Sequence, residues 1–154
     1  MTILKMRISE NIPEGKNRMH IGFDSRISKN YHCITCDIDT IANLTHILEQ
    51  VPKVIQKYKL PSFLVVLSSP FHYHLICFCK VKFEKFIEIL EYMVELGICT
   101  SEYVYNTRKK GYGVLRVDDK NGLTPRPLFT VPSPYKEYTP KKTEYFTLLK
   151  WCRK

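Results

Sequence analysis

Two pairs of polar side chains have residue types and spacing that could do chemistry. Asp37 and Asp39 end an apolar stretch of the chain, and His72 and His74 begin a later one. Alternate side chains of a β-strand lie on one face, so each pair points one way if its segment is a strand. Adjacent carboxylates repel each other unless a cation lies between them. If the two strands are neighbours, the four side chains form a divalent-metal site that could act on phosphate.

The elements that must position these pairs are predicted from the hydrophobic pattern. The strands are residues 32–39, 63–67, 73–80 and 112–117, of which the second and third form a hairpin. The helices are residues 40–59, with Thr40 as N-cap and a kink or break at Pro52, and residues 83–96, ended by Gly97. We expect an α+β fold: an antiparallel or mixed sheet with helices packed on one face, close to a ferredoxin-like or RNA-recognition-like core.

The remaining segments have weaker patterns. Residues 1–30 show no clear period, and residues 8–17 resemble a loop. Residues 118–122 are predicted to be a turn, residues 125–140 a proline-rich loop, and residues 143–154 a short helix. The chain is expected to be a single domain of residues 1–154, with a core of about 20–125 and a basic, proline- and aromatic-rich C-terminal segment at 126–154.

Positive charge is concentrated late in the chain. The formal net charge is +9, of which residues 1–103 contribute +1 and residues 104–154 contribute +8. Tyrosines, Phe146 and Trp151 are interleaved with these charges, as in proteins that stack bases and hold phosphates. The pattern fits either a nucleic-acid partner or a solvated basic tail. The candidate nucleic-acid-binding residues are Arg108, Lys109, Lys110, Lys141 and Lys142.

The six cysteines are expected to be reduced, buried and inert. Cys33 and Cys36 form a C-x-x-C spacing inside a predicted strand, whereas zinc knuckles place that spacing in a turn. No apolar run is long enough to span a bilayer, and the N-terminus is charged too early for a signal peptide. These features predict an intracellular protein with no membrane partner.

The order and spacing of several short motifs resemble the archaeo-eukaryotic primase-polymerase superfamily over roughly residues 30–125. The acidic motif is DIDT at residues 37–40, and a proline-led strand follows at Leu60-Pro61. The segment LVVLSSPFHYH at residues 64–74 has the spacing of that family's Ser-x-x-x-x-His turn, with Ser69 and His74 in the matching positions. The segment GVLRV at residues 113–117, with Lys120, is similar to the late Leu-Arg strand and lysine of these proteins.

The resemblance implies template-directed nucleotidyl transfer in the replication of a small plasmid or virus. Asp37 and Asp39 would bind Mg²⁺ or Mn²⁺, which would activate a 3′-hydroxyl and stabilise the leaving pyrophosphate. The catalytic residues would then be Asp37, Asp39 and His74, and the nucleotide-binding residues would be Ser69, His72, His74, Arg116 and Lys120. The implied partners are single-stranded DNA or RNA, nucleoside triphosphates, and a helicase or other replication subunit.

The chain departs from that family's pattern at three points. A third acidic residue is expected after the histidine, and Glu102 is the nearest candidate metal ligand, with Asp118 and Asp119 as alternatives. The turn before His74 lacks the usual glycine, since Phe71-His72 occupies that place. The chain is also short, which suggests a minimal catalytic domain or one subunit of an assembly.

Two other functions use the same residues differently. The segment around His72 and His74 also resembles the His-hydrophobic-His strand of rolling-circle replication nucleases and related transposases. There the two histidines bind one metal and a tyrosine attacks DNA, a role open to Tyr103 or Tyr105. Against this, residues 103–111 lack the pattern of an amphipathic helix. A non-catalytic nucleic-acid-binding module with a decayed site is the third possibility.

Overall fold

A computed structural model describes residues 5–11, 18–38, 43–116 and 125–135, and these contain eight strands and three helices. The strands are β1 (Lys5–Asn11), β2 (Arg18–Asp24), β3 (Arg26–Ser28), β4 (Tyr31–Ile38), β5 (Phe63–Ser69), β6 (His72–Lys82), β7 (Val114–Arg116) and β8 (Arg126–Val131). The helices are α1 (Leu44–Tyr58), α2 (Phe83–Glu95) and α3 (Ser101–Lys110).

The larger sheet has five strands in the order β3-β4-β6-β5-β8, and every neighbouring pair is antiparallel. The predicted α+β class and the predicted β5–β6 hairpin are confirmed. The run β4-α1-β5-β6-α2 follows a ferredoxin-like order, with β6 between two mutually parallel strands. The strand order departs from that fold at its edges, because β3 pairs with β4 on one side and β8 pairs with β5 on the other.

The two faces of this sheet are covered differently. On one face, Ile34, Cys36 and Ile38 of β4 pack into the main core with the buried side chains of the helices. On the other face, Cys33 packs against Phe23 of β2 and other apolar side chains. Because side chains alternate along a strand, Thr35 and Asp37 lie on this second face.

A smaller sheet lies beside the second face. Its three strands run β1-β2-β7, and both of its strand pairs are antiparallel. Leu115 of β7 is buried in the same cluster as Phe23, Leu64 and Ile76. This packing places the next residue, Arg116, at the second face of the larger sheet.

The helices begin and end at identifiable caps. The N-cap of α1 is Asn43, whose side-chain oxygen accepts a hydrogen bond from the backbone N–H of His46, so the prediction of Thr40 was wrong. The predicted break at Pro52 is also absent, since α1 continues through that exposed residue. The end of α2 agrees with the prediction, because Gly97 follows it with a φ of 75°.

Several elements differ from the sequence predictions. Helix α3 has only two buried residues, Val104 and Thr107, so its apolar period is too weak to read. Residues 8–11 belong to β1 and not to a loop. Residues 126–131 form β8, which among the described strands pairs only with β5, and Pro127 is tolerated at such an edge. The predicted turn at 118–122 and the predicted helix at 143–154 lie outside the described residues.

Candidate functional site

Asp37 and His74 lie directly opposite each other on neighbouring antiparallel strands. They are register partners in the β4–β6 pair, and the His74 Nε2 atom is 3.6 Å from the Asp37 Oδ1 atom. The Asp37 side chain is 40% exposed, whereas that of His74 is only 7% exposed. The condition stated for the site, that these two strands are neighbours, is therefore met, and one carboxylate of the site is open to solvent.

Arg116 reaches this pair from the smaller sheet. Its Nη2 atom donates a hydrogen bond to the backbone oxygen of Ser68, at 3.0 Å, near the end of β5. Its guanidinium is also close enough to His74 to lower the pKa of that imidazole. A carboxylate, a histidine and a guanidinium from three separate strands therefore meet at one end of the sheet.

The pKa of His74 is lowered to about 3, chiefly by burial and then by the positive charges of Arg116 and His72. The Asp37 carboxylate acts in the opposite direction, but it is half-exposed and does not offset the burial. His74 is therefore neutral at physiological pH. A neutral imidazole can coordinate a metal ion through one nitrogen, or donate a hydrogen bond to a phosphate oxygen.

The other predicted nucleotide-binding residues lie at the tip of the β5–β6 hairpin. Ser69 and His72 are register partners that close the hairpin, and both side chains are half-buried. Ser68, which the sequence prediction did not include, is buried, and its hydroxyl donates to the His72 carbonyl oxygen. Asp39, Lys120, Lys141 and Lys142, with the alternative ligands Asp118 and Asp119, lie outside the described residues.

The described residues include suitable ligands for a divalent cation, but too few of them to form a complete metal site. Asp37 supplies an exposed carboxylate and His74 a neutral imidazole, which are ordinary ligands for such ions. Within the described residues, no group of three or more His, Cys, Asp or Glu side chains could hold a metal ion. Glu102 is exposed on the first turn of α3 and belongs to no such group.

The two candidate nucleophilic tyrosines have different surroundings. The Tyr103 hydroxyl forms a 2.8 Å hydrogen bond with the Thr35 hydroxyl, and burial raises its pKa well above the ordinary value. Tyr105 is 64% exposed, and its position two residues later turns it away from Tyr103 on the helix. The raised pKa of Tyr103 disfavours its phenolate form, which is the opposite of what a tyrosine nucleophile requires. The helix α3 covers most of residues 103–111, and only two of its residues are buried, in agreement with the weak amphipathic pattern of this stretch.

The predicted basic residues on α3 do not form one uniform surface. Arg108 makes an ion pair with Glu91 of α2, and the two line a hollow of about 300 Å³ together with Glu84 and Glu88. Lys109 and Lys110 are exposed at the C-terminal end of the helix. Arg108 thus faces carboxylates, which makes it a weaker phosphate contact than the two lysines.

Ser25 and Gly113 attach β7 to the larger sheet. The Ser25 N–H donates to the Gly113 carbonyl oxygen, and the Gly113 N–H donates to the Ser25 hydroxyl, each at 2.9 Å. The same hydroxyl lies 2.9 Å from His32 Nδ1. Burial lowers the pKa of His32, so its neutral ring can accept this hydrogen bond. The sequence prediction missed this cluster, and a glycine just before the Leu-Arg strand was the only signal.

The described cysteines agree with the expectation of inert thiols. Cys33, Cys36, Cys77, Cys79 and Cys99 are all buried and free of disulfide bonds. Burial raises the pKa of the Cys33 and Cys36 thiols well above the ordinary value, so neither is a reactive thiolate.

We predict that lowering the pH from 7 to about 4.5 destabilises the protein. Unfolded His74 takes up a proton near pH 6.5, whereas the folded residue resists it until about pH 3. Because the unfolded state takes up the proton first, the free energy of unfolding is highest above pH 6.5. It falls as the pH falls, by about 2 to 3 kcal/mol at pH 4.5. His32 shifts stability in the same direction.

Urea denaturation in EDTA at the two pH values measures this effect. In the His74→Asn variant, which cannot take up that proton, the loss of stability between the two pH values should be clearly smaller. An identical loss in the variant and the parent protein would show that His74 does not titrate as its burial indicates.

Comparisons of the chain with models of known protein families, with curated proteins and with solved structures find no match. None of the helices in the described parts of the chain is both long and apolar enough to cross a membrane.

Proposed function

We propose that the protein is a metal-dependent nucleotidyltransferase that extends or initiates a strand on a nucleic-acid template. The observation that carries this proposal is the meeting of Asp37, His74 and Arg116, which come from three strands and lie at one end of the sheet. The resemblance of the surrounding motifs to primase-polymerases supports the same reaction.

Each residue of this site would have a separate role. Asp37, with Asp39, would hold divalent cations, which when bound supply Lewis-acid activation of a 3′-hydroxyl and charge stabilisation of pyrophosphate. His74 is neutral, so it would donate a hydrogen bond to a phosphate oxygen without adding charge. Arg116 would neutralise phosphate charge, since a guanidinium pairs well with phosphate oxygens.

The electrostatic arrangement is consistent with binding a nucleotide together with a metal ion. The Asp37 carboxylate is the solvent-exposed member of the site, whereas His74 is held in the sheet and Arg116 is fixed to the Ser68 carbonyl. Positive and negative groups therefore lie side by side, as required for a ligand that combines phosphates with cations.

Metal-dependent incorporation of nucleotides tests the proposal. Purified protein is incubated with a single-stranded template, with and without a primer, in labelled deoxy- or ribonucleotides and Mn²⁺ or Mg²⁺. We expect labelled product that is dependent on the template and disappears in EDTA. Product that persists in EDTA, or no product under any of these conditions, would contradict the proposal.

The same samples test the alternative function, a nuclease that uses a tyrosine nucleophile. A covalent adduct between the protein and labelled single-stranded DNA, lost in Tyr105→Phe or Tyr103→Phe, would replace the polymerase proposal with that function. Salt-sensitive binding without product or adduct would identify the chain as a binding module.

A further inference from the structure

Phe71 is the most exposed large apolar side chain in the described residues, with 83% of its surface open to solvent. It lies in the two-residue turn Pro70-Phe71, at the tip of the β5–β6 hairpin. The residues that flank this turn, Ser69 and His72, are among those that the family resemblance assigns to nucleotide binding. An exposed phenyl ring therefore lies beside the candidate site.

The backbone at this position favours glycine and not phenylalanine. Phe71 has a φ of 65°, in the left-handed region that residues with a Cβ rarely adopt. Proline followed by a positive φ is the pattern of a type II turn, whose second central residue is usually glycine or asparagine. A large ring at this position makes the turn less stable and buries almost nothing, so packing within the fold does not explain it.

Two arginines lie near the end of β5 that leads into the turn. Arg116 donates to the Ser68 carbonyl oxygen, next to the end of β5. Arg126 of β8 is exposed and is the register partner of Leu67 of β5. An exposed ring at the end of a hairpin that also carries arginines nearby is suited to binding single strands, since bases stack on the ring while guanidinium groups hold phosphates.

We propose that Phe71 is a base-stacking residue for single-stranded nucleic acid bound across the tip of the β5–β6 hairpin. The inference deepens the proposed function, because it assigns the contact that would hold the template beside Asp37 and His74. The contact itself requires no metal and no catalysis, so it can be tested separately.

The test is fluorescence anisotropy with a labelled thymidine oligonucleotide in EDTA, comparing the full chain with Phe71→Gly and Phe71→Trp. Stacking is worth enough per base that Phe71→Gly should weaken binding about tenfold. Phe71→Trp should bind as tightly as the parent protein or more tightly. Phe71→Gly should also melt no lower than the parent protein, because glycine relieves the left-handed strain.

An abasic oligonucleotide of the same length separates stacking from charge. It has the same phosphates and no bases, so Phe71→Gly should leave its affinity unchanged. The matched control is Leu48→Gly, which removes a half-exposed apolar side chain from α1. Its melting temperature will fall, but its affinity for the thymidine oligonucleotide should match that of the parent protein.

The outcomes distinguish this inference from the proposed function. If Phe71→Gly binds the thymidine oligonucleotide as tightly as the parent protein, or loses equal affinity for the abasic one, stacking at Phe71 is wrong. Metal-dependent incorporation by the parent protein would then still support the nucleotidyltransferase. Conversely, Phe71→Gly could lose affinity only for the oligonucleotide that has bases while the parent protein incorporates no nucleotide. That result would support base stacking at Phe71 and contradict the proposed nucleotidyl transfer.

Discussion

Replacing Asp37 by asparagine should reduce template-directed incorporation about a thousandfold, equivalent to about 4 kcal/mol of transition-state stabilisation. The amide has nearly the shape of the carboxylate but lacks the negative charge that would hold a divalent cation. The side chain is 40% exposed at the end of β4, so the substitution should change the fold little. Incorporation rates with Mn²⁺, measured under single-turnover conditions, provide the comparison.

Glu49→Gln is the matched control for this change. Glu49 is exposed on α1, and its replacement removes the same charge away from the candidate site. We expect full incorporation by this variant and melting temperatures within a few degrees for both proteins. If Asp37→Asn retained more than half of the parent rate, the site would not depend on this carboxylate and the proposed reaction would need another centre.

Replacing Gly113 by alanine should lower the free energy of unfolding by about 2 to 3 kcal/mol, because the site around it is already filled. A Cβ at this position would lie 2.3 Å from the Thr35 hydroxyl, 2.9 Å from the Tyr103 hydroxyl and 3.1 Å from the Phe86 ring. Thr35 is fully buried and β-branched, so it has little freedom to move away. The strand β7 would have to shift, and with it Arg116.

Two further variants show whether the cost is steric. Gly111→Ala places a Cβ in open space, so it should cost only the penalty of a φ of 86°, about 1 kcal/mol. Removing the Thr35 hydroxyl and methyl in Thr35→Ala should make Gly113→Ala clearly less costly than in the parent protein. Urea denaturation of the four proteins in that cycle gives the coupling, and purely additive effects would rule out the predicted clash.

The local hydrophobic pattern was sufficient to predict the strands and the helix at the centre of the fold. The strands β4, β5 and β6 are apolar runs bounded by polar or proline residues, and α2 has a clear helical period ended by Gly97. Their order along the chain was enough to expect an α+β sheet.

Elements at the edges were not predictable in the same way. The edge strand β8 and the helix α3 contribute few buried side chains, so their sequences lack a strong period. Contacts made elsewhere in the chain stabilise them, such as the hydrogen bond of Tyr103 to Thr35. Neither partner of that bond is recognisable from its sequence neighbours.

The candidate site likewise has features that the sequence predicts and features that only the tertiary structure determines. From the sequence alone, spacing identified Asp37 and His74 as members of two pairs of polar side chains at strand ends, whereas the pairing of β4 with β6 was established by the structure. The distance between the two side chains, the neutral state of His74 and the approach of Arg116 depend on the tertiary structure. Burial and through-space charge set those properties, and both arise from residues far apart in the chain that meet only when the two sheets pack.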